Sequence, residues 1–440
     1  MKAKTIYSSL ILGVLLAASC ESIDYPDRFV QTDGVPTVDF VRYADKDVVI
    51  TQANMEEVIC LVGDNLTSIH DLYFNDQAAV LNSSYMTNNT LVVAVPKNMP
   101  AVQTDKIYMI TKDSTVVTYD FKVLPPAPKV TSMSPEWANP GEVVTIYGSY
   151  LFAPLTVEFP GADPVEVSSA AGTSVDVKVP EGAQPGKIKV NTASGTAQSV
   201  FMYKDSRGIL FDFDGLTGLD NHGWNGHSSS TDATAISGNF IQLGDGTAVI
   251  NKDTWDESHF SFVYWPGSWN DPENYQDGPM GARLTDFADF SDWQNMALKF
   301  EMYIPSSNPW TGTALQICMA GVDKVSFGGA VVDIDGNQVA GANNTYVTSN
   351  DNPRALYRPW TATGSFDTGD KWITVTIPFS EFTYGWDGNP SSGTLSASSF
   401  TSLWMFLCQG GEPAGEECTP IIKIDTSALS LTNNLKENRK

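Results

Sequence analysis

The chain has 440 residues, 42% of them hydrophobic, and its 26 Lys plus Arg face 51 Asp plus Glu for a formal net charge of -25. That size and apolar content suit roughly two to four folded domains and exclude a disordered chain, while the charge opposes a nucleic-acid backbone or an anionic membrane surface and favours a neutral or cationic ligand. Four His and five Cys without zinc-type spacing argue against a metal-centred reaction and against a disulfide scaffold.

Residues 1–19 read as a processing segment: Lys2 and Lys4 form a charged start, residues 6–16 an apolar run, and small residues lead to Cys20. The run is too short for a spanning helix with stop-transfer flanks. Ala17-Ala18-Ser19-Cys20 resembles a bacterial lipobox, which implies that Cys20 becomes a lipidated first residue. Glu21, Asp24 and Asp27 follow, similar to the export tag of Bacteroidetes lipoproteins that reach the outer face of the outer membrane. Residues 20–35, polar and turn-rich towards their end, then read as a tether.

Two copies of one β domain come next. Glu57-Val58-Ile59-Cys60-Leu61-Val62-Gly63, with Leu66 and Phe74 beyond it, matches Glu142-Val143-Val144-Thr145-Ile146-Tyr147-Gly148, with Leu151 and Phe159. Residues 90–96, TLVVAVP, match residues 174–180, SVDVKVP. Short alternating runs between Gly, Pro, Asn and Asp clusters predict small sandwiches over 36–125 and 126–204. Ser134-Pro135 and Pro140-Gly141 ahead of the Val-Thr-Ile-Tyr-Gly strand resemble the immunoglobulin-like IPT/TIG family. With Trp137 as their one Trp and no catalytic cluster, the repeats read as a spacer.

Composition changes at residue 205. Ten of the eleven Trp follow, among loops rich in Gly, Asn, Asp and Ser. Strand patterns at 209–213, 297–304, 314–319, 372–378, 403–408 and 421–424, without an amphipathic helix longer than a turn or two, predict a larger jelly-roll-type β-sandwich over 205–440. The fold class is therefore all-β throughout. Cys60 and Cys318 sit in alternating apolar runs as small hydrophobes, while Cys408 and Cys418 flank a Gly/Pro/Glu loop that a bridge would close.

The tryptophans sort by local pattern. Trp372 and Trp404 lie inside apolar strands and Trp293 just before one, which marks them as structural. Trp224, Trp255, Trp265, Trp269, Trp310, Trp360 and Trp386 stand beside Gly, Asn, Asp or Pro, which makes them candidates for an aromatic platform against the apolar faces of sugar rings. Among these, residues 261–270 (SFVYWPGSWN) concentrate Tyr264, Trp265 and Trp269 around a Pro-Gly pair, the pattern of an aromatic loop. The bland alternative is that these rings plug the end of a core.

Asp212-Phe213-Asp214-Gly215 before Trp224, residues 295–305 (NMALKFEMYIP) and residues 371–379 (KWITVTIPF) resemble carbohydrate-binding jelly rolls. Together with the lipobox and the repeats, the chain resembles surface glycan-binding proteins of Bacteroidetes polysaccharide utilisation systems, in particular the second one, whose C-terminal domain is of the xyloglucan-binding type. The resemblance implies a non-catalytic protein at the outer membrane surface, with a porin-type importer complex and a surface glycanase as neighbours. Its ligand would be a neutral polysaccharide, a mixed-linkage or β-1,3-glucan or xyloglucan. Carried onto this sequence, it implies a platform of Trp224 with Tyr264-Trp265, supported by Trp269. Trp310 joins them on its local pattern, Trp360 with Tyr357 and Arg354 extends the platform, and Asn270 or Asp271 supplies hydroxyl contacts.

Two other classes stay open. An endo-acting glycoside hydrolase needs a carboxylate pair, for which Asp253, Asp256, Glu257, Asp271 and Glu273 offer material without a hydrolase motif. A surface adhesin for protein partners would use the same stalk. No cofactor is expected, although Asp212, Asp214 and Asp425 together offer oxygen ligands for a structural Ca²⁺, and the Asp-Gly at 335–336 reads as a hairpin turn.

Overall fold

The computed structural model describes residues 30–100, 102–222, 229–267, 278–322 and 348–431, with side chains as far as Thr426. The chain divides between Pro126 and Ala127 into two compact units.

The first unit is built from two four-stranded sheets. One runs in the order Val49–Ile50, Thr37–Tyr43, Val58–Asp64, Thr90–Ala94, and the other Gln77–Ala78, Ile69–Phe74, Lys106–Thr111, Val116–Asp120. The period-2 pattern does this directly: Lys106–Thr111 alternates half-buried and buried residues along its length, which sends Ile107 and Met109 into one core with Ile59, Leu61, Leu72 and Phe74.

In the second unit, the part nearest Ala127 repeats that design with a three-stranded sheet (Lys129–Ser134, Val143–Leu151, Gly172–Lys178) and a four-stranded one (Val165–Val167, Leu155–Glu158, Lys189–Thr192, Gly195–Gln198). One detail marks the two copies as the same structure. A Cβ on Gly63 would lie 1.9 Å from the Thr37 carbonyl oxygen, and a Cβ on Gly148 would lie 1.9 Å from that of Lys129. Each glycine lets a neighbouring strand approach at a bulge in its pairing.

The rest of the second unit is a larger antiparallel sandwich. Its first sheet orders Ile209–Phe211, Ile422–Leu431, Met296–Tyr303 and Trp372–Pro378, with Ile241–Leu243 also paired to Ile422–Leu431. Its second orders Ser261–Tyr264, Ser402–Leu407, Leu315–Ala320 and Arg354–Tyr357. Leu298, Phe300 and Met302 of one sheet share a core with Leu315, Ile317, Leu403 and Met405 of the other. Edge-to-face contacts close the space between them, as with Phe211 and Phe262 at 5.1 Å. A short helix, Glu257–Phe260, leads into the first strand of the second sheet.

The IPT/TIG-like layer is bonded to the outer face of the first sheet. Glu136 donates its backbone N–H to Glu301 Oε1 at 3.0 Å, Lys299 Nζ meets Glu136 Oε1 at 2.7 Å, and Thr374 donates its N–H to Ser134 Oγ at 2.9 Å. Trp137 packs beside a cluster of Ile236, Phe240, Tyr303 and Trp372.

No bridge joins Cys408 and Cys418: both thiols are free. The Cys408 N–H bonds to Ala314 while Cys418 exchanges backbone bonds with Ile250, so the two cysteines belong to different pairings.

Candidate functional site

The site follows from strand parity in the second sheet. Registers place Gln316 opposite Phe406 and Leu356, and Cys318 opposite Trp404 and Arg354, with Val263 also opposite Trp404. These residues share one face, while Phe262, Tyr264, Ile317, Leu403 and Met405 line the other and enter the sandwich core. An outer sheet face is usually polar and wet. Here it is a second buried layer: Gln316, Arg354, Trp404 and Phe406 are each 0% exposed.

Arg354 organises this layer. Its guanidinium carbon lies 4.9 Å from the Trp404 ring centre and 5.7 Å from that of Trp386. Nη1 donates to Gln316 Oε1 at 2.8 Å, Nη2 to the Ser349 carbonyl at 2.8 Å, and Nε to the Asn352 carbonyl at 3.2 Å. Aromatic faces and fixed acceptors replace the water that a buried cation loses. Burial pushes the Cys318 thiol up to about 11 and the Cys408 thiol well above its ordinary value, so neither is a thiolate nucleophile near neutral pH.

Over this layer stand two tryptophans that reach the surface. Trp386 comes from the turn that follows Tyr384, where Asp387 Oδ1 and Oδ2 hold Asn389. Trp255 precedes the helix Glu257–Phe260, which Asp256 caps by accepting the His259 N–H. The two indoles lie 5.5 Å apart at 56°, and Trp255 also sits edge-on to Phe406 at 5.1 Å. Trp255 Nε1 donates to Glu257 Oε1 at 2.6 Å, which fixes its ring. Trp255 is 37% exposed and Tyr384 38%, and Trp386 is half-buried. An aromatic pair held from beneath can take an apolar ring face, and Asp387, which follows Trp386 and is bonded to Asn350 and Asn389, offers a polar group to read hydroxyls.

The structure corrects several expectations. Tyr264, Trp265, Trp310 and Trp360 are buried in the core rather than set on an open loop. Tyr264 is the last residue of its strand and its hydroxyl donates to the Ala282 carbonyl. Trp265 lies on the outer-face side, stacked on His222 at 4.1 Å and 30°. Trp310 and Trp360 both direct Nε1 at the Thr313 carbonyl, at 3.1 and 3.2 Å. Tyr357 is half-buried against Trp310 at 5.9 Å. Arg354 backs Trp386 and Trp404 instead of extending a Trp360 surface. Cys20, Trp224, Trp269 and Asn270 lie outside the described residues, as do Asp271, Glu273 and the Asp-Gly turn at 335–336.

The proposed Ca²⁺ ligands are otherwise employed. Asp212 accepts the N–H groups of Leu216 and Thr217, Asp214 those of Gly238 and Asn239, and Asp425 binds Ser237 and Thr426. Among the described residues no group of three or more His, Cys, Asp or Glu is placed to hold a metal ion. The carboxylates near Trp255 are also taken: Asp256 binds His259 and Glu257 accepts from Trp255.

Residues 203–426 match the family of the surface glycan-binding protein B xyloglucan binding domain. The chain is similar to the crystal structure of a surface glycan-binding protein B from Prevotella bryantii, with 41% identity, a TM-score of 0.75, and coverage of 91% of this chain and 100% of that one. A curated IPT/TIG domain-containing protein of Bacteroides ovatus is 27% identical over 184 residues, 38% of this chain, and the match spans 36% of that relative's length.

Proposed function

The chain belongs to the surface glycan-binding protein B family, and on that premise we propose that it holds a neutral polysaccharide at the cell surface through Trp255 and Trp386. The family is one of carbohydrate-binding proteins, not of glycoside hydrolases. The observation that carries the reading is the surface pair of indoles, 5.5 Å apart, backed by the immobilised Arg354. A xyloglucan or β-glucan chain presents the apolar ring faces such a pair desolvates, and the matched domain family is named for xyloglucan binding. Trp224, Trp269 and Asn270 extend the contact in this proposal. Cys20 carries the lipid that keeps the chain at the outer membrane, and the two IPT/TIG-like layers act as a stalk. An importer complex and a surface glycanase are the proposed neighbours. No helix of the described residues is long and apolar enough to cross a membrane.

A platform of this size binds weakly, with Kd on the order of 10⁻⁴ to 10⁻⁶ M, and many copies on one surface raise capture along a polymer. Electrophoresis through gels containing xyloglucan, mixed-linkage glucan or β-1,3-glucan tests the reading, with a parallel reducing-end assay. At least one glycan should retard the chain without new reducing ends, and Trp255→Ala with Trp386→Ala should weaken retardation by about tenfold or more, a loss of ~1.4 kcal/mol. Release of new ends would establish a hydrolase. Absence of retardation by every glycan would favour an adhesin.

A further inference from the structure

Away from the aromatic pair, a cavity of about 410 Å³ opens between the IPT/TIG-like layer and the outer face of the first sheet. Ligand sites favour such junctions and this size range, particularly where a few polar groups converge on apolar walls. Trp137 and Met296 line it together with Glu301, Lys299, Asp205 and Arg207. Glu301 is 1% exposed. Its Oε1 accepts from the Glu136 N–H and the Thr374 hydroxyl, while its Oε2 is buried with no hydrogen-bond partner. A buried oxygen in that state is costly, and a ligand hydroxyl entering the cavity is a group that relieves it.

The charges decide the ligand class. Lys299 is neutralised by Glu136 at 2.7 Å, and Arg207 holds Asp205 through Nε and Nη2, each at 2.8 Å. A second cation meets Lys299 and Arg207, and an anion meets the surrounding carboxylates. An uncharged ring with hydroxyls on its rim meets donors from Lys299 and Arg207, an acceptor in Asp205, the unpartnered Oε2 of Glu301, and an apolar wall from Trp137 and Met296.

We propose that this junction cavity is a second binding site, taking one or two neutral sugar units independently of the Trp255–Trp386 platform. The choice of sugar over another neutral polyol rests on the glycan-binding reading; the site itself rests on the cavity and its polar groups.

Isothermal titration with cellobiose, on the full chain carrying Trp255→Ala and Trp386→Ala, isolates the cavity. One cellobiose should bind per chain. Adding Arg207→Ala should weaken that binding about tenfold, as loss of a charged donor does, and Ser291→Phe, which fills the mouth from an exposed position, should abolish it. No cellobiose binding to the platform-deleted chain overturns the proposal, as does binding indifferent to both added substitutions. Polysaccharide retardation of the Ser291→Phe chain with both tryptophans intact reads the platform alone. Its persistence beside a failed titration removes the cavity and leaves the platform standing.

Discussion

Trp255 and Trp265 come from neighbouring segments with similar sequence texture, and they differ in what lies above the ring. Trp265 is 0% exposed and stacked on His222, whereas Trp255 is 37% exposed and touches Phe406 only edge-on. Removing Trp265 leaves a large void, so Trp265→Ala should cost about 3–5 kcal/mol in denaturant unfolding. Trp255→Ala should cost about 1 kcal/mol. Equal losses from the two would contradict this division of roles. Local residue type does not disclose it: Pro266 and Gly267 signal the end of the strand, which stops at Tyr264, yet Trp265 just beyond it stays buried. Conversely, Trp386 in Tyr-Gly-Trp-Asp-Gly-Asn carries the turn signal on both sides and does reach the surface.

At the scale of elements, the strand Met296–Tyr303 does two jobs, with Leu298 and Met302 in the core and Lys299 and Glu301 facing the IPT/TIG-like layer. Burial, with Glu136 adding to it, pushes the Glu301 carboxyl up to about 8 from an ordinary 4.5. Burial also raises Glu136, against the opposing pull of Lys299. The folded chain keeps Glu301 protonated where the unfolded chain has ionised it. Its contribution to stability is therefore full below about pH 4.5, declines as pH rises towards 8, and changes no further above that. Asp425, raised to about 7 by burial, adds the same sign. Unfolding free energies measured from pH 4 to 9 should show Glu301→Gln losing part of this decline relative to the parent chain. An unchanged slope would mean that Glu301 ionises normally. The strands themselves were legible because period-2 alternation and β-branched runs fix them locally, as in Lys106–Thr111. The buried Gln316 and Arg354 were harder, because a polar residue in a strand signals an exposed face until a further layer of chain covers it.

For the whole molecule, the alternating runs and the internal repeat announced an all-β chain, and Gly63 and Gly148 take equivalent places in the two copies, each admitting a neighbouring strand at a bulge. What composition did not announce is the extent of bonding between the second IPT/TIG-like layer and the sandwich, since Glu136, Asn139 and Ser134 look like ordinary turn residues in sequence yet bond to Glu301, Ile236 and Thr374. Two compact units, parted between Pro126 and Ala127, should melt in calorimetry as two cooperative transitions, with the second IPT/TIG-like layer unfolding together with the sandwich. Three resolved transitions would show that the bonds around Glu136 do not couple them.

The second sheet is buried on both faces, and it acts as a partition. On one side is the apolar core that determines whether the chain folds; on the other, Arg354 and its aromatic neighbours carry the turns from which Trp255 and Trp386 rise. Insertions or exchanges in those turns alter the recognition surface while leaving the core's packing intact. On the proposed function, a change of polysaccharide would then be a matter of surface segments alone, with the core left as it is.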